Sequence, residues 1–299
     1  MKTRILVYGS YAVGMTMKCG SFPSAGQTVP GYSFQQFHGG KGSNQAIAAA
    51  RLGGNVCYVS CVGRDMLGDA AIELFKNEGL DARVKRSETR ATGVGFCMVD
   101  DIGESRIIID FGASNEVSSK DIDELRDVLA SSQILLTQLE SDMDTVLYAA
   151  RLARSLGVTV ILNPAPYRAM PDELIRNVDV ITPNETEARQ MLGMPADADI
   201  SDESTAQKLM ELGIGKVIIT LGKNGALLAD ENDIQRIPIK RLVTPVDTTG
   251  AGDAFAGALV VALSEGKSYA DAVSWANEAA SLSVTRYGVV ESLPYRNEL

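Results

Sequence analysis

The sequence predicts an α/β fold: a three-layer α/β/α sandwich with a mainly parallel central sheet and a small β-sheet lid. Short apolar runs rich in branched residues alternate with longer amphipathic segments, which is the order of parallel βαβ units. A chain of 299 residues that is 45% hydrophobic has enough apolar side chains for one large core. Two segments, 15–37 and 92–110, break the alternation and predict the smaller sheet.

Strands of the central sheet are predicted where the branched apolar residues cluster. The candidates are residues 5–8, 56–61, 134–137, 158–162, 178–182 and 217–220. Helices are predicted where longer amphipathic segments separate these runs. Their candidates are residues 42–52, 67–78, 143–156, 185–192, 205–212, 253–263 and 269–284.

The lid is predicted from two insertions in the core. Residues 11–37 and 92–110 would form it, and the core would consist of residues 1–10, 38–91 and 111–299. In the second insertion, Val94, Phe96 and Met98 face residues 106–109 across a hairpin turn. A small sheet without crossover helices would project over the open edge of the core and cover a ligand there.

The acidic balance of the chain limits its partners. The net charge of −10 argues against nucleic acid and anionic membranes, because both attract basic surfaces. No apolar run approaches the roughly 20 residues of a membrane span, and the N-terminus shows no signal-peptide pattern. We therefore expect a cytoplasmic protein that binds small molecules.

The segment 247–255 carries the strongest chemical signal. Gly250, Ala251 and Gly252 stand where a helix begins, so their backbone N–H groups would point at an anion together with the helix dipole. Asp253 would lie beside that anion as a base. The alternative is a glycine-rich turn in which Asp253 only caps the helix.

Polar segments follow four of the predicted strands. They are residues 9–10, 163–165, 183–187 and 221–225. Each alone is typical of an ordinary loop. Because parallel strands end at the same edge of a sheet, the four segments are expected to line one ligand site.

Several motifs of the chain resemble those of the ribokinase-like (PfkB) carbohydrate kinase family. They are Gly-Gly-Lys-Gly-Ser-Asn-Gln-Ala at 39–46, Gln-Leu-Glu-Ser at 138–141, Asn-Pro-Ala-Pro at 163–166, Thr-Pro-Asn-Glu-Thr-Glu at 182–187, Thr-Leu-Gly at 220–222 and the segment 247–255. The resemblance runs from end to end. It implies an α/β core with a β lid, transfer of the γ-phosphoryl group of ATP to a sugar hydroxyl, and a homodimer formed through the lid.

The resemblance also implies roles for single residues. Asp253 matches the base that takes the proton of a primary hydroxyl, and the amides of Gly250, Ala251 and Gly252 match the anion hole. The expected nucleotide contacts are Asn184, Thr220, Gly222, Gly225 and Asn277. For Asn277, a surface position on the last helix is the alternative. Glu187 matches a residue that holds Mg²⁺ of the ATP complex through water, as one carboxylate suffices for an ion that keeps several waters.

A monovalent cation, K⁺, is implied beside the anion hole. The matching oxygen sources are Asp247, Thr249, Ser283, Arg286, Gly288 and Ser292. Arg286 could contribute only its main-chain carbonyl, because a guanidinium has no acceptor atom.

The acceptor end departs from the family pattern. The expected sugar contacts are Gly40, Lys41, Gly42, Asn44, Glu140 and Asp253. The family's Asn-x-Asp after the first strand is missing, because Ala12 and Gly14 stand at those positions. The loss leaves open a ribose-like sugar held by replacement contacts from Tyr11, Thr16 or Lys18, a modified or deoxy sugar, a nucleoside, or a nucleotide or sugar sensor without catalysis.

Overall fold

The computed structural model describes residues 4–299, so residues 1–3 of the predicted core segment 1–10 lie outside it. Thirteen strands form two sheets within this range. They are β1 (Arg4–Tyr8), β2 (Ala12–Cys19), β3 (Gly31–Gly39), β4 (Asn55–Gly63), β5 (Asp81–Ser87), β6 (Gly93–Asp100), β7 (Ser105–Asp110), β8 (Ser132–Thr137), β9 (Thr159–Leu162), β10 (Val180–Ile181), β11 (Lys216–Thr220), β12 (Ala226–Ala229) and β13 (Ile234–Ile237).

The described chain also has ten α-helices, of which the last two follow β13. They are α1 (Lys41–Arg51), α2 (Met66–Asn77), α3 (Ser119–Glu124), α4 (Arg126–Ala130), α5 (Met143–Ser155), α6 (Asp172–Arg176), α7 (Glu185–Met191), α8 (Asp202–Glu211), α9 (Ala251–Ser264) and α10 (Tyr269–Ser283). Between residues 4 and 299, no helix is long and apolar enough to cross a membrane.

The larger sheet has nine strands in the order β13-β12-β11-β10-β9-β8-β1-β4-β5. Every neighbouring pair from β11 to β5 is parallel, whereas β12 and β13 join the edge antiparallel. Parallel strands need crossover connections, which the helices supply. The mainly parallel sheet predicted from the alternation of apolar runs is thus confirmed.

Helices cover both faces of this sheet. One apolar core lies between the sheet and α1, α2, α9 and α10, and a second lies between the sheet and α3 to α8. Successive residues of β1 alternate between them, with Ile5 and Val7 in the first core and Leu6 and Tyr8 in the second. The three-layer architecture follows from this alternation.

The smaller sheet, which we call the lid sheet, has the order β3-β2-β6-β7. Strands β2 and β6 are parallel, while the outer pairs are antiparallel. Its register places Gly14 opposite Phe37 on one side and Gly95 on the other. The hairpin expected around residues 100–103 is present between β6 and β7.

Three strands of the larger sheet were missing from the sequence prediction. Strands β5 and β13 carry polar residues and so lack the apolar run of a central parallel strand. Strand β12 is apolar and fully buried, and it was missed although its four residues carry that pattern. Strand β10 covers only Val180–Ile181 of the predicted 178–182. Strands β5, β12 and β13 lie at or near the edge of the sheet, where a strand needs a less pronounced apolar pattern than in the centre.

The crossing of α1 and α9 positions the site. Gly257 of α9 lies against α1 so closely that an added Cβ would come within 2.6 Å of the Ala48 Cβ. Glycine therefore permits the two helices to touch. As a result, the first turns of α1 and α9 meet at the carboxyl ends of β1, β8 and β9.

Candidate active site

The start of α9 is built as an anion-binding turn. Gly250 precedes the helix with φ of 82°, a left-handed conformation that glycine adopts without strain. The first helical hydrogen bond runs from Ala254 N to Gly250 O, so the amides of Gly252 and Asp253 have no carbonyl partner in the preceding turn. Of the three amides expected in the anion hole, that of Ala251 donates instead to Thr248 O at 3.3 Å.

Asp253 lies in the first turn of α9 and is only 5% exposed. Asn44 Nδ2 donates to its Oδ2 at 2.8 Å, and Gln45 Nε2 donates to its Oδ1 at 2.9 Å. A buried carboxylate with a donor on each oxygen is held in one orientation. The side chain does not cap its own helix, so the capping alternative for Asp253 is wrong: Gly250 is the N-cap residue and no side chain accepts there.

Lys41 links the predicted catalytic, sugar and metal residues electrostatically. Burial lowers the pKa of Lys41, but the charges of Asp253, Glu140 and Glu187 together raise it above its usual value. The ammonium therefore stays charged between three carboxylates. Such a cation can neutralise part of the charge of a transferring phosphoryl group.

Glu140 holds the start of α1. Its Oε2 accepts from Ser10 Oγ at 2.6 Å and from the Lys41 amide at 2.8 Å, while its Oε1 takes part in neither bond. Burial raises the pKa of Glu140 above its usual value, although Lys41 and the Ser10 hydroxyl oppose the rise. The loop after β1 passes so close that an added Cβ on Gly42 would lie 2.5 Å from Ser10 N.

A cavity of about 250 Å³ lies on the other side of the α9 start. Four predicted nucleotide residues line it, namely Thr220, Gly222, Gly225 and Asn277, together with Ala251 and Gly252. Asn277 is 4% exposed and donates to Ile237 O at 2.9 Å, so the surface alternative for this residue is wrong. Gly225 has no room for a side chain, as an added Cβ would lie 2.2 Å from Ile237 O.

Asn184 and Glu187 form the N-terminal cap of α7. Asn184 Oδ1 accepts from the Glu187 amide at 2.8 Å, and Glu187 Oε2 accepts from the Asn184 amide at 2.9 Å. Asn184 also pairs with Thr220 through an isolated parallel bridge. It does not line the 250 Å³ cavity. Burial raises the pKa of Glu187 above its usual value, opposed by the Asn184 amide and Lys41.

The residues expected around a monovalent cation lie on the loop before α9 and between the last residue of α10, Ser283, and Ser292. Asp247 joins them, because its Oδ1 accepts from Thr249 N at 2.9 Å and its Oδ2 from Gly288 N at 3.3 Å. Ser283 O accepts from Arg286 N, and the Arg286 guanidinium pairs with Glu298. The buried Ser292 hydroxyl donates to Val289 O at 2.8 Å. Among residues 4–299, no group of three His, Cys, Asp or Glu side chains could hold a metal ion.

An open cleft of about 870 Å³ separates the lid sheet from the core. Glu140, Asp247 and Thr249 line its core side, and the lid contributes Ala12, Gly14, Thr16, Lys18, Gln35, Phe37, Gly95 and Ile109, among others. Ala12 and Gly14 themselves contribute no polar side chain to the cleft. Of the possible replacement contacts, Thr16 and Lys18 line the cleft, whereas Tyr11 is fully buried and bonds to His38 Nδ1.

Three buried amides that join the site were not assigned a role from the sequence. Gln45 bonds to Asp253, Gln138 bonds to Gln45, and Asn163 bonds to Gln45 and to Thr182 O. All three lie inside motifs that carry the family resemblance. Their distance along the chain hid their contact, since Gln45 and Asn163 are 118 positions apart.

Comparisons with known proteins agree with this arrangement. A family model described as "pfkB family carbohydrate kinase" matches residues 2–296. The chain is similar to the ribokinase of Haemophilus influenzae, with 37% identity over 303 residues that cover 100% of this chain and 97% of the relative. It is 33% identical to the deoxyribokinase of Salmonella typhimurium, with 97% and 95% covered.

A solved structure shows the same fold. The structure of Arabidopsis thaliana ribokinase complexed with ribose and ATP matches with a TM-score of 0.91 and 30% identity, covering 99% of this chain and 97% of that one. The chain therefore belongs to the PfkB family of carbohydrate kinases, and so to the ATP-dependent carbohydrate kinases. The family and the class of enzyme predicted from the motifs are confirmed.

Proposed function

We propose that the protein transfers the γ-phosphoryl group of ATP to a primary hydroxyl of a small sugar or sugar-like acceptor, with Asp253 as the base. The observation that carries this proposal is the position of Asp253 at the start of α9, buried and with a donor on each oxygen. The acceptor proton would move to Asp253 as the acceptor oxygen bonds to the γ-phosphorus. The bond to the bridging oxygen would break, and ADP would leave with the electron pair.

The two cavities support an in-line arrangement. The 250 Å³ cavity would hold the nucleotide, and the cleft under the lid sheet would hold the acceptor. The start of α9 lies between them, because Ala251 and Gly252 line the first and Asp247 and Thr249 line the second. The amides of Gly250, Ala251 and Gly252 would receive the transferring group there, once the amide of Ala251 exchanges Thr248 O for phosphate.

Two ions fit the residues present. Glu187 supplies a half-buried carboxylate beside Lys41 and Asp253, which suits an ion such as Mg²⁺ that keeps most of its waters. The ion would neutralise phosphate charge when bound with ATP. For K⁺, the loops joined by Asp247 offer hard oxygen donors at Thr249, Ser283, Arg286, Gly288 and Ser292. The carboxylate of Asp247 would fix both loops around that ion.

We expect the preferred acceptor to depend on fewer hydrogen bonds to its hydroxyls than ribose does. A carboxylate that accepts two sugar hydroxyls contributes about 1.5–3 kcal/mol for each charge-assisted bond. Gly14 cannot supply those bonds, and neither can Ala12. The similarity to a deoxyribokinase shows that relatives exist for acceptors with fewer hydroxyls. A deoxy or otherwise modified sugar, or a nucleoside, therefore fits the lid side of the cleft better than ribose.

The lid sheet also supports a homodimer. Its most exposed apolar residues are on β7, where Ile107, Ile108 and Ile109 are exposed, together with Tyr32 and Phe34 on β3. Val94, Phe96 and Met98, expected to need cover, are only partly exposed. An apolar edge of this kind is stabilised by burial against a second copy.

The test is ADP release from ATP with Mg²⁺ and K⁺ across ribose, 2-deoxyribose, hexoses and nucleosides. We expect turnover with at least one of them and a lower kcat/KM for ribose than for that acceptor. ATP binding without turnover on any acceptor would overturn the kinase proposal and favour a sensor of nucleotide or sugar.

A further inference from the structure

A chain of buried amides connects the candidate base to the carboxyl ends of three strands. Gln138 follows β8, Asn163 follows β9 and Thr182 follows β10. Gln138 Nε2 donates to Gln45 Oε1 at 2.6 Å. Gln45 Nε2 donates to Asn163 Oδ1 at 3.0 Å and to Asp253 Oδ1 at 2.9 Å. The chain therefore ends on one oxygen of Asp253.

The orientation of every amide in this chain follows from one backbone carbonyl. Thr182 O can only accept, so the Asn163 amide must turn its Nδ2 towards it, at 2.7 Å. Asn163 Oδ1 then faces Gln45 and requires a donor. The same Gln45 nitrogen reaches Asp253, and Gln45 Oε1 is left for Gln138. No other assignment of the amide atoms gives every contact a donor and an acceptor.

Gln45 has no surface through which it could touch a substrate, because it is 0% exposed. Gly9 makes room for its partner: an added Cβ on Gly9 would lie 2.0 Å from Gln138 Oε1. Both sides of the Gln45 amide are thus enclosed. Of the three side chains that Gln45 bonds to, only Asp253 is a proposed reacting group.

We propose that Gln45 is a positioning residue, which fixes the rotation of the Asp253 carboxylate and directs the acceptor proton to Oδ2. Oδ1 faces the sealed amide chain, whereas Oδ2 faces Asn44, an expected sugar contact. The proton of the acceptor hydroxyl adds to a lone pair of Oδ2 as the oxygen bonds to phosphorus. Oδ1 stays an acceptor for Gln45 throughout. The inference rests on the proposed role of Asp253.

The first test variant is Gln45→Met, which keeps the length of the side chain and removes the donor. We expect kcat to fall about 10- to 100-fold, since a small displacement of a reacting group costs about 10²-fold. KM for ATP and for the acceptor should stay within about twofold. Gln207→Met, on the exposed face of α8, is the matched control and should keep the wild-type kcat.

A second variant, Gln45→Glu, gives a readout that a merely structural role would not change. The new carboxyl can donate to Asp253 Oδ1 only when protonated, and two adjacent carboxyls hold one proton more tightly than either alone. Its kcat should therefore rise as the pH is lowered, opposite to the wild type. Gln138→Met should give a smaller loss, about three- to tenfold.

A folded Gln45→Met protein with wild-type kcat, or with its whole loss in KM, would overturn the inference. So would a Gln45→Glu protein with the wild-type pH profile. Should Gln45→Met not fold, Gln138→Met gives the same test. A loss in kcat supports the inference, whereas wild-type kcat or a loss confined to KM overturns it. Asp253→Asn separates the two proposals: an inactive Asp253→Asn beside a fully active Gln45→Met refutes only the role of Gln45, whereas an active Asp253→Asn refutes the base.

Discussion

The two ends of the candidate site are built differently. The phosphoryl end consists of the left-handed Gly250, the unpaired amides at the start of α9 and Asp253. It is rigid, because each carboxylate oxygen of Asp253 accepts a hydrogen bond from a buried side chain. At the acceptor end, the lid sheet presents Ala12, Gly14 and Gly95 to a wide cleft. In the proposed function, the first end would bind a phosphoryl group, which every kinase transfers. The second has to match one acceptor, and there this chain departs from the family pattern.

The largest effect on kcat is expected from a substitution that changes only the phosphoryl end. Asp253→Asn should lower kcat by about 10²–10⁴-fold, because the side chain can no longer take the acceptor proton. Binding of a non-hydrolysable ATP analogue, measured by calorimetry, should change little. Wild-type kcat in the folded variant would contradict the assignment of the base.

The electrostatic link between the two ends is Lys41. In Lys41→Met we expect kcat/KM to fall about 10- to 100-fold, as a fixed cation that faces developing charge is lost. The acid limb of the pH profile should also move to higher pH. The reason is that Lys41 opposes the rise that burial causes in the pKa values of Glu140 and Glu187, so without it both carboxyls stay protonated to higher pH.

The measurement is kcat/KM from about pH 5 to pH 9. Lys208→Met, on the exposed side of α8, is the control and should reproduce the wild-type profile. An acid limb that stays in place in Lys41→Met would mean that these carboxyls do not govern activity.

A smaller effect is expected at the segments joined by Asp247, where a monovalent cation would bind. Replacing K⁺ by tetramethylammonium at constant ionic strength should lower kcat several-fold, because the loops joined by Asp247 would lose their central charge near the anion hole. Asp247→Ala should remove the difference between the two salts. Equal rates of the wild type in both salts would argue against a monovalent site.

The smallest effect on catalysis is expected from the edge of the lid sheet. Ile108 is 72% exposed on β7. The double variant Ile107→Glu/Ile108→Glu should shift the protein from dimer to monomer in sedimentation velocity, with kcat at saturating acceptor reduced by no more than a few-fold. A wild-type protein that sediments as a monomer would refute the dimer.

The sequence and the structure agree best where a pattern is local. The run 5–8 and the start of α9 were predictable, because apolar periodicity and glycine-rich helix starts are read within a few residues. Edge strands such as β5 and β13 were missed since their residues are polar. The amide chain through Gln45, Gln138 and Asn163 could not be predicted, because its members meet only after β8 and β9 pair and α1 docks on α9.

The acceptor end shows the same limit. The sequence indicated that Ala12 and Gly14 remove polar groups, but not whether other side chains fill the space. In the structure an added Cβ on Gly14 would meet only Phe37 O, at 3.9 Å, so the space is open. Gly14 also lacks a left-handed φ, so an aspartate fits its backbone.

This geometry defines the most direct test of the central claim. The claim is that the phosphoryl end has its expected residues, whereas the acceptor end lacks two polar side chains that would bind ribose. The measurement is kcat/KM for ribose in the wild type and in Ala12→Asn/Gly14→Asp. We predict a gain of at least about tenfold for ribose, as one charge-assisted bond of ~1.5 kcal/mol corresponds to that factor. KM for ATP should not change. Equal or lower kcat/KM for ribose in a folded double variant would contradict the account.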